Sequence, residues 1–356
     1  MNRMNCVHAR LRVRRTPCSL LLLPAFLGLG GICSAPVAEA QGYTYNQTIT
    51  NGFSTINNLA FDSSGNLYIT DTGNNRIVER TIGGAFSSFG SAGSGPGQFN
   101  APLGVAVNSS GDVFVADGAN ARVVVHKADG SFSSFGSSGT GPGQFQNTWG
   151  IGVNSSGDIY VVDRRDFRIE EFNPDYSFIR SFGTRGTDVG QISGLTGLAV
   201  NSSGNVFVTN ASNSAPILEF SGDGTYLATI GTAGPGFVTG PRALTFDSND
   251  NLFATSSGII KEFDSSNNYV TSFGSRGTGD GQFNNPEGLA VDSSGNVFVS
   301  DNYIAGNLFR VEEFSPNAAD PATTPEPGSL ALLAGVSLCG SIAVRRRRAR
   351  RQRKTL

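Results

Sequence analysis

Cysteine and histidine are nearly missing from the middle of this 356-residue chain. Three of the four cysteines, Cys6, Cys18 and Cys33, lie in the first 40 residues, and Cys339 lies close to the C-terminus. The middle therefore has no thiol nucleophile, no disulfide framework and no cysteine metal site. Its single histidine, His126, falls late in a predicted strand and is a poor candidate for a catalytic base.

Charged residues are also few, at 15% of the chain, and they are unevenly placed. Residues 1–40 hold five arginines and one glutamate, and residues 345–356 hold seven arginines and one lysine. The whole chain has 26 basic and 28 acidic residues, so 13 basic and 27 acidic residues remain in the middle of the chain, residues 41–344. The net charge of this middle part is −14. Because an acidic body repels phosphate backbones, the composition argues against nucleic acid as a partner.

Glycine, in contrast, is abundant: 47 of 356 residues, about 13% where roughly 7% is usual. Many glycines fall in a linker, SFGSAGSGPGQFNAPLG from Ser88, that recurs in close variants at Ser134, Ser181 and Ser272. A phosphate-binding loop would occur once and open a helix, whereas strand-like alternation follows each linker here. The linkers are predicted to be hinges between repeated units, and no cofactor is predicted.

Six segments between the linkers align without gaps around a tight turn: FDSSGNLYITD, VNSSGDVFVAD, VNSSGDIYVVD, VNSSGNVFVTN, FDSNDNLFATS and VDSSGNVFVSD. Repeats of about 46 residues with four short strands per unit are typical of β-propellers. The Asx residues of these turns, including Asp62, Asp247 and Asp292, are interpreted as turn-forming and not as calcium ligands. The last unit lacks a fourth strand, and the spare segment Tyr43–Ile49 at the other end is predicted to supply it.

A second pattern, Asp-x4-Arg, follows the second predicted strand of several units. The pairs are Asp71/Arg76, Asp117/Arg122 and Asp163/Arg168, with a wider Asp301/Arg310 in the sixth unit. Together with the G-Q-F-x-x-P-x-G segments at Gly97–Gly104 and Gly281–Gly288, these residues resemble the NHL repeat family. The six repeats and the spare strand predict a closed, all-β, six-bladed propeller over residues 41–317, and the resemblance makes this propeller NHL-like. Units four and five depart from the pattern, with Asn210 and Ser256 at the aspartate position. We interpret the pairs as structural, each fixing the shape of a loop, and an exposed pair of this kind contributes at most about 1 kcal/mol.

Both ends of the chain have the composition of targeting segments. Arginines, an apolar run and Ala38-Glu39-Ala40 predict a signal peptide over residues 1–40, with either a Sec or a twin-arginine export route. At the other end, a linker over 318–327 contains Pro325, Glu326 and Pro327, and an uncharged run over 328–344 follows. This run is predicted to be a single membrane helix, and the basic residues 345–356 are predicted to be its cytoplasmic tail.

The triplet, apolar run and arginine cluster, in this order, resemble the PEP-CTERM sorting signal of Gram-negative bacteria. The resemblance implies that an exosortase-type sorting enzyme is a partner and that the membrane anchors the chain before processing. It further implies delivery to the cell envelope or the extracellular matrix. The mature protein is expected to be a monomer.

Candidate binding residues follow from the topology expected of a four-stranded meander, in which alternate connections share a face. The loops between second and third strands and the blade-to-blade linkers would form one such face, called the linker face below. Six aligned positions, called the mouth residues, would surround its centre: Asn57, Leu103, Trp149, Thr196, Arg242 and Glu287. Loops of the same face hold Arg164, Arg165 and Tyr303. Trp149 either stacks on a ligand or fills a gap between blades, and the arginines either hold a carboxylate or are simply solvated.

These features favour a secreted binding module that recognises a protein or polysaccharide, with no catalytic residue and no metal. One alternative is a metal-dependent propeller enzyme, lactonase-like or lyase-like, and another is a passive component of the extracellular matrix. An enzyme of that kind usually needs several carboxylates, histidines or asparagines at the central channel. The predicted mouth offers one acidic residue, Glu287, so binding is the favoured function.

Overall fold

The computed structural model describes residues 42–210, 216–303 and 306–317. Within these ranges the chain forms six four-stranded antiparallel sheets and three two-stranded parallel ones. The predicted signal peptide, the Pro-Glu-Pro triplet, the apolar segment and the basic tail all lie outside these ranges. Among the helices of the described ranges, none combines the length and the apolar character that crossing a membrane requires.

The strands through the third sheet are, in chain order, β1 (Tyr43–Ile49), β2 (Ile56–Phe61), β3 (Leu67–Asp71), β4 (Arg76–Arg80), β5 (Phe86–Phe89), β6 (Ser91–Ala92), β7 (Gln98–Phe99), β8 (Pro102–Val107), β9 (Val113–Asp117), β10 (Arg122–His126), β11 (Phe132–Phe135), β12 (Ser137–Ser138), β13 (Gln144–Phe145), β14 (Thr148–Val153), β15 (Ile159–Asp163), β16 (Arg168–Phe172) and β17 (Phe178–Phe182). The remaining strands are β18 (Leu198–Val200), β19 (Val206–Thr209), β20 (Ile217–Phe220), β21 (Tyr226–Ile230), β22 (Leu244–Phe246), β23 (Leu252–Ser256), β24 (Ile259–Phe263), β25 (Tyr269–Phe273), β26 (Ser275–Arg276), β27 (Gln282–Phe283), β28 (Pro286–Val291), β29 (Val297–Tyr303) and β30 (Leu308–Pro316). Three-residue 3-10 helices span Thr72–Asn74, Gly118–Asn120 and Gly234–Gly236.

Each four-stranded sheet is one blade of a propeller. Blades one to five are β2–β5, β8–β11, β14–β17, β18–β21 and β22–β25, and blade six is β28–β30 with β1. The first strand of every blade lies innermost, next to the first strands of the neighbouring blades. This arrangement confirms the predicted all-β, six-bladed propeller.

The ring is closed by the N-terminal strand. β1 pairs antiparallel with β30, so that Tyr43 lies opposite Pro316 and Ile49 lies opposite Val311. The ring of Tyr43 also stacks on Phe273 of the fifth blade, with centroids 4.4 Å apart. The pairing confirms that β1 supplies the fourth strand that the last unit lacks, and it removes an open edge from the sixth sheet.

The hydrophobic core lies between the faces of adjacent blades. All five residues of β3, β9 and β15 are buried, because the second strand of a blade is covered on both sides. Single core clusters span neighbouring blades, as Phe114 of the second and Val161 of the third illustrate. Each blade is therefore stabilised by its two neighbours, which is why near-continuous apolar runs occur in strands of an antiparallel fold.

The turns between first and second strands form as the sequence predicts. Asp62 Oδ1 accepts hydrogen bonds from the backbone N–H groups of Ser64 and Asn66, at 2.9 and 2.8 Å. Gly65 has a φ of +82°, in the region that favours glycine. Asp247 and Asp292 make the same backbone contacts. The interpretation of these aspartates as turn-forming is confirmed.

The glycine-rich linkers are ordered loops, so the prediction of hinges is wrong. β6 pairs with β7 in parallel, and β12 pairs with β13 and β26 with β27 in the same way. A Cβ placed on Gly90, whose φ is +98°, would lie 2.3 Å from the buried Phe99 ring. Glycine is needed there because the backbone packs against phenylalanine in a left-handed conformation, and not because the segment must move.

Candidate functional site

The mouth residues lie side by side around the axis of the ring. A Cβ placed on Gly104 would lie 2.3 Å from the carbonyl oxygen of Trp149 in the next blade. Gly288 has the same relation to Asn57, also at 2.3 Å, across the closing blades. Since only a very small residue fits at these places, inner strands approach each other closely. Leu103 and Glu287 directly precede these two glycines, so they are brought close to the mouth residues Trp149 and Asn57 of the neighbouring blades.

Trp149 and Arg164 form one pair at this mouth. Trp149 is half-buried and packs on a core cluster that includes Val162 and Leu198. The guanidinium carbon of Arg164 lies 4.2 Å from the centre of its ring, a cation–π contact. Arg165, the next residue, is exposed. The indole thus both fills space between blades and presents a surface that it shares with an arginine.

Arg242 and Glu287 form a second pair, between the fifth and sixth blades. Arg242 Nη1 donates to Glu287 Oε1 at 2.8 Å, and the Asn285 amide donates to the same oxygen at 2.6 Å. The side chain of Glu287 is 10% exposed and that of Arg242 is 48% exposed. Burial raises the pKa of the Glu287 carboxyl above its usual range, while the charge of Arg242, these two hydrogen bonds and the charge of Arg164 oppose the rise.

Tyr303 is the last residue of β29, where it pairs with Leu308 at the end of the longest hairpin of the sixth blade. The backbone of Tyr303 therefore lies on the linker face. Of the predicted binding residues, the structure brings Trp149 next to Arg164 and Arg242 next to Glu287. The sequence analysis placed these residues on one face, and the structure adds which of them are in contact.

The aspartates of the Asp-x4-Arg pairs are fully buried and their arginines are 4–29% exposed, which corrects the expectation of exposed pairs. Asp117 is fully buried, and its Oδ1 accepts the backbone N–H of Asn100 at 2.6 Å. Its Oδ2 accepts from Arg122 Nε at 2.9 Å and from the Asn120 amide at 2.8 Å. Arg122 in turn donates to three linker carbonyl oxygens, those of Ser94, Gly95 and Gln98. The pair binds the linker that leads into its own blade, and we call this arrangement the linker pin.

Other blades repeat the linker pin with variations. The ion pairs measure 2.7 Å for Asp71–Arg76, 3.6 Å for Asp163–Arg168 and 3.3 Å for Asp301–Arg310. In blades four and five, Asn210 Oδ1 and Ser256 Oγ accept a linker N–H at 2.8 and 3.0 Å. These two blades keep the backbone contact and lack the arginine, and in the fifth blade Lys261 Nζ donates instead to the linker carbonyl oxygen of Pro235. A carboxylate that is buried without a cation destabilises the fold. Where the arginine is missing, a neutral Asn210 or Ser256 therefore stands in place of the aspartate.

A polar cavity of about 250 Å³ lies beside Arg242 on the linker face, and the sequence analysis missed it. Its walls include Ser257, Arg276, Asn284 and Asn285. One sequence signal was available: β23 and β24 are joined by two residues, whereas four residues join β9 and β10. This spacing shows that the loop between β23 and β24 is short, but it does not show which residues line the cavity beside that loop.

The mouth does not have the donor set of a divalent-cation site. Its carboxylate, Glu287, is already bonded to Arg242 and Asn285. Across the described ranges, no group of three or more histidine, cysteine, aspartate or glutamate side chains is placed to hold a metal ion. Hard divalent cations are usually bound by several oxygen ligands at once, so these residues do not fit a metal.

Comparisons with known proteins agree with the fold. The sequence profile of the NHL repeat matches residues 99–125 and 283–303, in the second and sixth blades. The chain therefore contains NHL repeats. No curated protein matches it as a sequence relative.

Solved propeller structures cover most of the chain. A virginiamycin B lyase from Staphylococcus aureus is 14% identical with a TM-score of 0.54, and the match covers 78% of this chain and 95% of that one. A gluconolactonase from Xanthomonas campestris is 15% identical with a TM-score of 0.57, covering 79% and 91%. A streptogramin B lyase is 15% identical with a TM-score of 0.54, covering 80% and 95%. At such identities the likeness shows the fold alone.

Proposed function

We propose that this propeller is an exported binding module that recognises a polysaccharide through its linker face. The observation that carries the proposal is the half-buried Trp149 with the guanidinium of Arg164 4.2 Å from its ring centre. An aromatic ring beside polar and charged groups suits a sugar, which has an apolar face and a rim of hydroxyl groups. Arg242 and Glu287 supply such groups on the same mouth.

The test measures binding of the full chain to a panel of immobilised polysaccharides, with Trp149→Ala and Trp149→Phe compared. The alanine variant should bind at least about tenfold more weakly, and the phenylalanine variant should keep much of the affinity. If Trp149 only packs the core, Trp149→Ala instead lowers stability by about 3–5 kcal/mol without a specific loss of affinity. Binding of a protein in place of any polysaccharide would also contradict the proposal.

The proposal includes export and sorting, which rest on the two ends of the sequence. The signal peptide predicted over residues 1–40 supports export, and the Pro-Glu-Pro triplet, apolar run and arginine cluster after residue 324 support sorting. Removal of residues 325–356 should move the protein from the membrane and envelope fractions to the soluble exported fraction. Unchanged fractionation would contradict sorting by the tail.

An enzyme is the second candidate, and the likeness to lyase and gluconolactonase structures favours it. Glu287 is the group to examine, because it is the one carboxylate among the mouth residues and burial raises its pKa above the usual range. The metal-dependent form has little support, since Glu287 is bonded to Arg242 and Asn285. Hydrolysis of a sugar lactone by the full chain, abolished in Glu287→Gln, would establish this candidate.

A further inference from the structure

The fifth blade differs from the others where its second strand turns into its third. Ser257 and Gly258 alone connect β23 to β24, and both have positive φ, +46° and +88°. In the second blade the corresponding connection contains a 3-10 helix, Gly118–Asn120. The fifth blade therefore forms a tight hairpin where the second blade forms a longer loop.

In the first and second blades, the longer loop between the second and third strands contacts the linker that leads to the next blade. Asn75 Oδ1 of the first blade accepts the N–H of Ala101, and the carbonyl oxygen of Gly118 in the second blade accepts from the Asn147 amide. Asn285 is the aligned position before the sixth blade. With the short hairpin in place, Asn285 instead bonds Glu287 and lines the polar cavity. The cavity therefore lies beside the shortened hairpin, and Ser257 and Gly258 line it together with Asn285.

Two arginines line this cavity, one on each of two successive linkers. Arg242 precedes β22, and Arg276 ends β26. Arg276 is exposed. Unlike Arg122, Arg168 and Arg310, it forms no ion pair with any carboxylate in the described ranges. A guanidinium of this kind is available to an anion from outside, and its planar fork suits a carboxylate.

The rest of the lining indicates what carries that carboxylate. Asn284, Asn285 and Ser257 offer amide and hydroxyl groups, each of which both donates and accepts hydrogen bonds. Such groups match the hydroxyls of a sugar, and the cavity volume of about 250 Å³ suits about one ring. Since the middle of the chain has a net charge of −14, an acidic ligand is repelled except near local arginines.

We propose that the polar cavity of the fifth blade is a subsite for a uronic acid, with Arg276 and Arg242 at its carboxylate and Asn284, Asn285 and Ser257 at its hydroxyls. The inference rests on the proposed function and makes it specific: the recognised polysaccharide is acidic. It also assigns a use to the one blade whose loop is shortened to a hairpin of two residues.

The experiment measures binding of galacturonic acid trisaccharide to the full chain by calorimetry, with its methyl ester and a triglutamate peptide as competing probes. Arg276→Gln should weaken binding of the acid at least tenfold. Lys127→Gln, which removes the same charge near the opposite face, should change it less than twofold. A second variant replaces Ser257–Gly258 with a copy of residues 118–121. It fills the cavity without changing the charge and should also lose binding, with melting temperature as the check on folding.

Each outcome decides between the claims. If Trp149→Ala weakens binding of the acid while Arg276→Gln does not, the subsite is wrong and the proposed function stands. Equal binding of the acid and its methyl ester also overturns the subsite, because it removes the role of the carboxylate. If the intact protein binds triglutamate and neither sugar, both the subsite and the polysaccharide proposal are overturned.

Discussion

The second and fifth blades share a fold but hold their linkers differently. In the second blade, the buried Asp117 and the partly buried Arg122 bind a glycine-rich linker at Asn100 and at Ser94 through charged hydrogen bonds. In the fifth, Ser256 Oγ accepts the N–H of Thr239 at 3.0 Å, and Lys261 Nζ, without a paired carboxylate in the described ranges, donates to the carbonyl oxygen of Pro235. The ring therefore does not need a full linker pin in each blade, and a blade without one is free to form a cavity.

This difference shows that packing between adjacent blades is required in every blade, whereas the aspartate–arginine pair is not. Packing between adjacent blades is present in both, since Phe114 of the second and Phe253 of the fifth are buried alike. The charged pair is dispensable because a neutral hydroxyl satisfies the same backbone donor. A site can thus arise where the repeat loses part of its loop, without loss of the propeller.

The largest loss of stability should follow deletion of β1, the strand that closes the ring. This deletion tests whether a linker pin is enough to keep a blade folded. The sixth blade has a pin, Asp301 with Arg310, yet its outer edge depends on β1. Deletion of residues 43–49 should abolish the cooperative unfolding transition, because it opens the ring and exposes the sixth-blade edge. A synthetic peptide of these residues should restore the transition, and a peptide with the reversed sequence should not. A truncated protein that melts like the intact one would show that closure is unnecessary.

The next effect compares the two kinds of blade directly. Asp117→Ala leaves Arg122 without its carboxylate and the Asn100 N–H without an acceptor, and should cost about 3–5 kcal/mol of unfolding free energy. Ser256→Ala removes a single neutral acceptor and should cost about 1 kcal/mol. Urea denaturation of both variants measures the difference. Equal losses would mean that the charged pair adds nothing to the backbone contact.

A smaller effect concerns a glutamate that the third blade adds beside its pin. Glu170 is fully buried, and its Oε1 lies 2.9 Å from Arg168 Nη2. Burial raises the pKa of its carboxyl from the usual 4.5 to about 7. A carboxyl whose pKa is raised by folding stabilises fully below about pH 4.5, and this contribution is lost as the pH rises through about 7. The second blade has Val124 at this place.

Glu170→Gln should therefore raise the unfolding free energy at pH 8 by about 1–3 kcal/mol, and less at pH 5. Denaturant unfolding at both pH values measures it. Glu79→Gln, at a half-buried glutamate of β4, is the matched control. A gain that is the same at both pH values would show that packing, and not ionisation, is responsible.

The repeat, its four strands and the closure of the ring could all be predicted from the amino-acid sequence. Alternation, turn residues and spacing are local, so they are visible without coordinates; the strand missing at residue 317 and the spare one at 43–49 were enough to predict β1 next to β30. The linkers were misjudged because glycine-rich composition is shared by flexible loops and by closely packed ones. Only burial of Phe99 against Gly90 distinguishes the two.

Contacts between blades were decided by the tertiary structure alone. Arg242 and Glu287 are 45 residues apart in the chain, and their 2.8 Å contact depends on how two blades turn towards each other. The burial of Asp117 depends in the same way on a linker folding over it. The shortened loop after Ser256 is visible in the sequence, but the cavity is not, because its walls come from two linkers on either side of the fifth blade. Periodicity fixes which residues share a strand or a turn; side-chain partners are fixed by the packing of units distant in sequence.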